Sequence, residues 1–125
     1  MGMASLKSFE EFEAWQNARE ITRRVYLLTR QKPFAIDFGL KGEIRDAAVS
    51  IMSNIAEGFE SQTENVFIRH LGIAEGSAGE VRSQLYVALD QNYISQSEFF
   101  DLTELCKKTA RQIYVLMEYL QRSHL

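Results

Sequence analysis

The sequence predicts an all-α fold, a single up-down-up-down, left-handed four-helix bundle spanning residues 1–125. Three observations predict it. Apolar residues recur at alternating spacings of four and three in separate stretches, which lays a stripe along each helix and favours shallow left-handed crossings. The stretches are bounded by start and stop signals, among them three Ser-x-x-Glu capping boxes. No segment shows strand alternation or a hairpin turn.

Ser8-Phe9-Glu10-Glu11 opens the first helix, expected over residues 9–31, with Glu10, Glu11 and Glu13 at its positive end. Ala14, Trp15, Ala18, Ile21, Thr22, Val25, Tyr26 and Leu28 fall on one broad side at about 100° per residue. Pro33, the sole proline, closes it. Asp37 is the expected N-cap of a second helix over 38–58, with the stripe Leu40, Ile44, Ala47, Ile51, Ile55 and Gly58. Gly58 stands where a left-handed C-terminal residue is wanted. Ser61-Gln62-Thr63-Glu64 reads as the capping box of a third helix over 62–91, whose core positions are Phe67, Leu71, Ala74, Ala78, Val81, Leu85 and Ala88. Asn92 suits its end. Ser95-Gln96-Ser97-Glu98 opens a fourth helix over 96–122, with Phe99, Leu102, Cys106, Thr109, Ile113, Leu116 and Leu120 inward.

The bulk numbers exclude several classes. Charged residues make up 25% and hydrophobic residues 46%, which is ordinary globular composition, neither disordered nor membranous. No apolar run approaches the ~18 residues of a membrane span, and Met1-Gly2 is followed by Leu6 where a myristoylation motif wants Ser or Thr. The lone Cys106 permits no disulfide within the chain and points to the reducing cytoplasm. A net charge of −3 argues against indiscriminate coating of nucleic acid, although a local basic face survives inside it.

Two helices are unusual on their outer sides. Gly72, Gly76, Gly79 and Ser83 share an arc of about 60° opposite the core stripe of the third helix, where each glycine costs about 1 kcal/mol relative to alanine. Val49, Met52, Ala56 and Phe59 form a second apolar side on the second helix. One reading makes these eight residues a subunit interface, with the glycines admitting a neighbouring backbone. The other makes the bundle irregular, with both faces internal.

No constellation supports catalysis. Di-iron bundles need Glu-x-x-His pairs, yet Phe67 and Gln121 stand three before His70 and His124, the only histidines. One cysteine and two histidines do not make a zinc site, and phosphate-binding glycine loops and nucleophile elbows are absent. No cofactor or metal is therefore expected. Asn54, Ser50, Glu57, Glu75 and Glu80 form either a functional polar pocket near the hairpin or, the favoured reading, a structural set, with Asn54 bonding across the bundle and the carboxylates pairing with Arg45, Arg69 or Arg82. Arg19, Arg23 and Arg30 converge on one arc of the first helix, with Arg24 nearby. They are a candidate phosphate-contacting stripe or a solvated face. Phe12 is the single aromatic assigned to its flank, so base stacking there is not expected.

Residues 47–58, Ala47-Ala48-Val49-Ser50-Ile51-Met52-Ser53-Asn54-Ile55-Ala56-Glu57-Gly58, resemble the "AAxSIxxNIAEG" signature of a known family. Residues 67–80, with Phe67, Leu71, Ala74, Gly76, Ser77 and Glu80, resemble its second signature, and Phe9, Phe12, Trp15 and Ala18 its usual opening. The family is named for proteins encoded in intervening sequences of 23S ribosomal RNA genes, and is related to the accessory protein of diversity-generating retroelements. The resemblance implies a four-helix bundle assembling as a homopentamer without established enzymatic activity. The retroelement branch works through a basic surface, from which this net-acidic chain departs. Two functions follow as expectations. One is a non-enzymatic assembly or scaffold module whose partner is itself, with a protein or nucleoprotein bound to it. The other is an RNA- or DNA-binding accessory protein that uses the arginine stripe, alone or together with a reverse transcriptase.

Overall fold

Helix ends are set by where backbone N–H and C=O groups find partners once the ladder stops. The computed structural model describes residues 6–122, so the readings at Met1-Gly2 and His124 lie outside the described residues. Within them are four α-helices and no strand: α1 Glu13–Thr29, α2 Phe38–Glu60, α3 Glu64–Asp90 and α4 Gln96–Arg122. Each helix packs against the next and α1 closes on α4, giving a four-cornered antiparallel bundle. The α2–α3 seam is the most extensive and the α1–α4 seam the sparsest. No helix among the described residues is long and apolar enough to cross a membrane.

Several boundary signals act as expected. The Asp37 carboxylate accepts the Leu40 N–H at 3.2 Å. Ser95 and Glu98 form a reciprocal box, Glu98 N–H to Ser95 Oγ at 3.0 Å and Ser95 N–H to Glu98 Oε1 at 2.9 Å. After α3, Asn92 takes φ 61°, while Asn92 and Tyr93 N–H return to the carbonyls of Leu89 and Ala88. That pairing is a Schellman cap.

Three boundaries differ from expectation. The first helix does not run unbroken from Phe9: Phe9–Glu11 is a 3-10 turn, and Phe12 is extended before α1 starts. The break turns the Phe12 ring inward, where it meets Phe59 and Phe67 edge-on at 5.4 and 6.0 Å. Gly58 does not end α2. The helix runs through it to Glu60, no glycine has positive φ among the described residues, and Gln62 takes the left-handed turn at φ 60°. Ser61 does not cap α3 through Glu64 either. Thr63 is the N-cap, and the Ser61 hydroxyl instead donates to the Gly58 carbonyl at 2.6 Å.

The stripe assigned to α3 is buried at every position. In the other helices the assigned inward residues are buried or half-buried against the same core. Thr29, not assigned inward, is fully buried. Its hydroxyl donates to the Val25 carbonyl at 2.7 Å and accepts from Arg45 Nε at 2.8 Å, so its burial leaves no polar atom unsatisfied.

Candidate functional site

Four of the signature residues, Asn54, Glu57, Gly58 and Ser77, lie along the α2–α3 seam. The hydrogen bonds place the imidazole proton on His70 Nδ1, which donates to Asn54 Oδ1 at 2.8 Å. Asn54 Nδ2 donates to the Ser50 carbonyl at 2.9 Å and to Ser50 Oγ at 3.0 Å. Ser50 Oγ and Ser77 Oγ are in turn hydrogen-bonded to each other at 2.9 Å. Glu57 lies 3.9 Å from His70 at the exposed end of this ladder. Asn54 thus bonds across the bundle as expected, but the expected carboxylate–arginine pairs do not form. Arg45 faces α1, its guanidinium 4.2 Å above the Tyr26 ring, and Arg82 Nε is buried without a hydrogen-bond partner. Gly58 sits beside the ladder for a steric reason. A Cβ there would meet His70 Cβ and Phe67 Cδ1 at 2.8 Å. Gly76 and Glu80, the remaining signature residues, are exposed.

The outer sides of α2 and α3 divide into two kinds of position. Phe59 is half-buried and meets Phe12 and Phe67, Met52 touches the Thr22 hydroxyl, and a Cβ on Gly72 would meet Met117 Cε at 3.7 Å. These three serve contacts within the chain, while Ala56 is half-buried. Val49, Gly76, Gly79 and Ser83 are exposed, and a Cβ on Gly76 or Gly79 would meet nothing within 4 Å. Gly42, on the outer side of α2, is equally open.

Arg19, Arg23 and Arg30 line one shallow trough on α1 together with Tyr26, Leu27 and Met52. Arg24 does not join them. It borders a hollow on the other flank, beside Glu98 and Asp101 of α4. Glu20 grips both Arg23 (2.6 and 2.9 Å) and Arg24 (2.8 Å). The Arg23 guanidinium, then that of Arg24, draws its carboxyl down to about 2. The aromatic flank differs from expectation. Phe12 is buried in the core, whereas Trp15 borders Arg19 and Arg23 and Tyr26 lies in the trough beneath Arg45. Tyr26 and Arg45 meet only because α1 and α2 run antiparallel. The residues themselves were legible in the sequence, and their pairing was not.

Among the described residues no three His, Cys, Asp or Glu side chains come together to hold a metal ion. Burial pushes the Cys106 thiol up to about 12, so the nucleophilic thiolate is scarce at neutral pH. Native protein is therefore expected to resist iodoacetamide at pH 8 and to react at Cys106 once unfolded in urea. Mass spectrometry of the two samples checks this, and equal labelling would contradict the burial argument.

Residues 10–115 match the family model for the 23S rRNA-intervening sequence protein. This chain belongs to that family. No curated protein matches it. Among solved structures, it is similar to a protein of unknown function from the S23 ribosomal protein family of Bacteroides thetaiotaomicron VPI-5482. The two share 21% identity over 84% of this chain and 95% of the other, with a TM-score of 0.77. At that identity the likeness to the S23 protein is one of fold.

Proposed function

We propose that this intervening-sequence protein is a non-enzymatic, self-assembling helical module of the cytoplasm that scaffolds other macromolecules, a homopentamer by family resemblance. The open glycines carry the reading. Gly76 and Gly79 have no neighbour within the chain that requires a missing Cβ, yet each costs its helix about 1 kcal/mol relative to alanine. Close approach of another subunit's backbone gives that cost a purpose. Exposed Ile73 and Val87 on α3 and Val49 on α2 add apolar area to the same outer sides. Gly76→Leu or Val49→Glu is expected to reduce the assembly to smaller species, with circular dichroism showing helix content largely kept. Light scattering decides, and an unchanged mass for both variants would remove these faces from the assembly.

A second reading, nucleic-acid binding, is favoured by the trough itself, which sets guanidinium groups beside the Tyr26 ring. Glu20 offsets part of that charge, and the chain's net −3 opposes the approach of a polyanion at low ionic strength. RNA binding is therefore expected to be weak and non-specific, and to vanish near physiological salt. Arg19→Glu with Arg23→Glu should abolish it without changing assembly. Titration of labelled RNA at two salt concentrations is the check; tight binding that survives high salt, or that ignores the double substitution, would place the contact elsewhere.

A further inference from the structure

The most exposed large apolar side chains among the described residues are Phe38, Phe100 and Ile36, at 75%, 62% and 59% of full exposure. All lie at one end of the bundle, where α1 and α3 finish and α2 and α4 begin. Leu6 and Arg122 lie at the opposite end. The backbone presenting Ile36 and Phe38 is held firmly. Tyr93 OH donates to Asp37 Oδ2 at 2.9 Å, Phe34 stacks on Tyr93 at 5.1 Å, and Asp37 also caps α2. This latch ties the α1–α2 link to the α3–α4 link, so the apolar tip is a fixed surface. Nothing in the bundle's own core accounts for its exposure.

Charge at this end is divided. The α1–α2 edge carries exposed Lys32 and half-exposed Lys41, along with Arg30, against one free carboxylate, exposed Glu43, while Asp37 is engaged in the latch. The α3–α4 side carries exposed Asp90 at the end of α3 and, on α4, exposed Glu98 and Asp101, which border the hollow toward α1. Because α1 neighbours α4 and α2 neighbours α3, these edges lie on opposite sides of the end. An anionic lipid surface would meet the acidic edge unfavourably. A second copy, turned over by a two-fold axis lying in the end plane, sets α1 over α4 and α2 over α3, so each edge meets its opposite. We propose that this end docks on the same end of a second copy of the chain. Ile36, Phe38 and Phe100 form the shared apolar centre, and the charged edges set the orientation, in an isologous contact.

Four helices about 10 Å apart present an end of roughly 400 Å², below the ~800 Å² per partner of a standard stable interface. The contact is therefore weak, reversible and sensitive to salt, and it strengthens wherever side-by-side assembly presents several ends at once. It does not depend on the lateral reading above.

Sedimentation velocity of the full chain, from low micromolar to several hundred micromolar at low salt, tests it. The mass is expected to double across that range. Phe38→Asp, or high salt, should move the doubling to concentrations at least about tenfold higher. Lys32→Glu with Lys41→Glu makes both edges negative, and Asp90→Lys with Asp101→Lys makes both positive. Each double variant alone should lose the doubling, and their equimolar mixture should regain it. Lateral assembly, read separately with Gly76→Leu, should be unaffected in every tip variant. A mass independent of concentration overturns the proposal, as does doubling that survives in both charge variants. Wild-type binding to phosphatidylserine vesicles, lost in Phe38→Asp and unaccompanied by doubling, also overturns it and assigns the tip to lipid.

Discussion

Gly58→Ala is expected to destabilise the chain by about 2 kcal/mol, although glycine-to-alanine in an open helix interior stabilises by about 1 kcal/mol. The added Cβ would lie 2.8 Å from both His70 Cβ and Phe67 Cδ1 and 3.3 Å from Phe67 Cα. Neither neighbour yields easily. Phe67 is buried among Phe12 and Phe59, His70 is tied to Asn54, and moving Phe67 Cα shifts α3 itself. Gly58→Val should cost more, about 3 kcal/mol or above. Gly76→Ala and Gly79→Ala, with open space around them, are the controls and should gain up to about 1 kcal/mol each in a non-assembled chain. Urea unfolding of the set decides; a Gly58→Ala chain as stable as wild type would show that α2 and α3 can part without cost.

Asn54→Leu is expected to cost about 2–3 kcal/mol, because it strands polar groups rather than merely deleting a bond. The His70 Nδ1 proton and Ser50 Oγ both lose the amide between them, in a seam where His70 and Ser50 are at least half-buried. Adding His70→Leu removes one stranded donor, so the double variant should be less destabilised than the sum of the singles by about 1 kcal/mol. Strict additivity would mean water satisfies the ladder when Asn54 is gone.

The α3 stripe was legible in full because seven positions at 4-3 spacing leave one orientation for the helix. Gly58 was not, although it was rightly singled out. A glycine just before a short polar link has the local appearance of a left-handed cap, and the contrary fact, Phe67 and His70 pressed against it, is tertiary. The cap fell to Gln62, a residue with no special propensity for positive φ. Phe12 shows the same limit, since its extended backbone answers to the rings of Phe59 and Phe67. Arg24 is a different case. Its angle on the helical wheel already separates it from Arg19, Arg23 and Arg30, so proximity in sequence misled where periodicity would not have. Of the arginine trough, three members were legible and the aromatic floor was not.

The ladder between α2 and α3 also bears on uniqueness. Stripes that repeat every heptad look nearly the same to each other after a slide of seven residues, so apolar burial alone leaves neighbouring alignments close in energy. Sliding α3 by one heptad would replace His70 with Ser77 opposite Asn54, and Ser77 with Gln84 opposite Ser50. It would also bring a different residue onto the bare backbone at Gly58. Such a slide breaks the bonds of the ladder, whereas the native alignment joins His70, Asn54, Ser50 and Ser77 in one chain. The hydrogen bonds of the seam thus separate one alignment from its near-copies, much as a single buried asparagine does in a coiled coil.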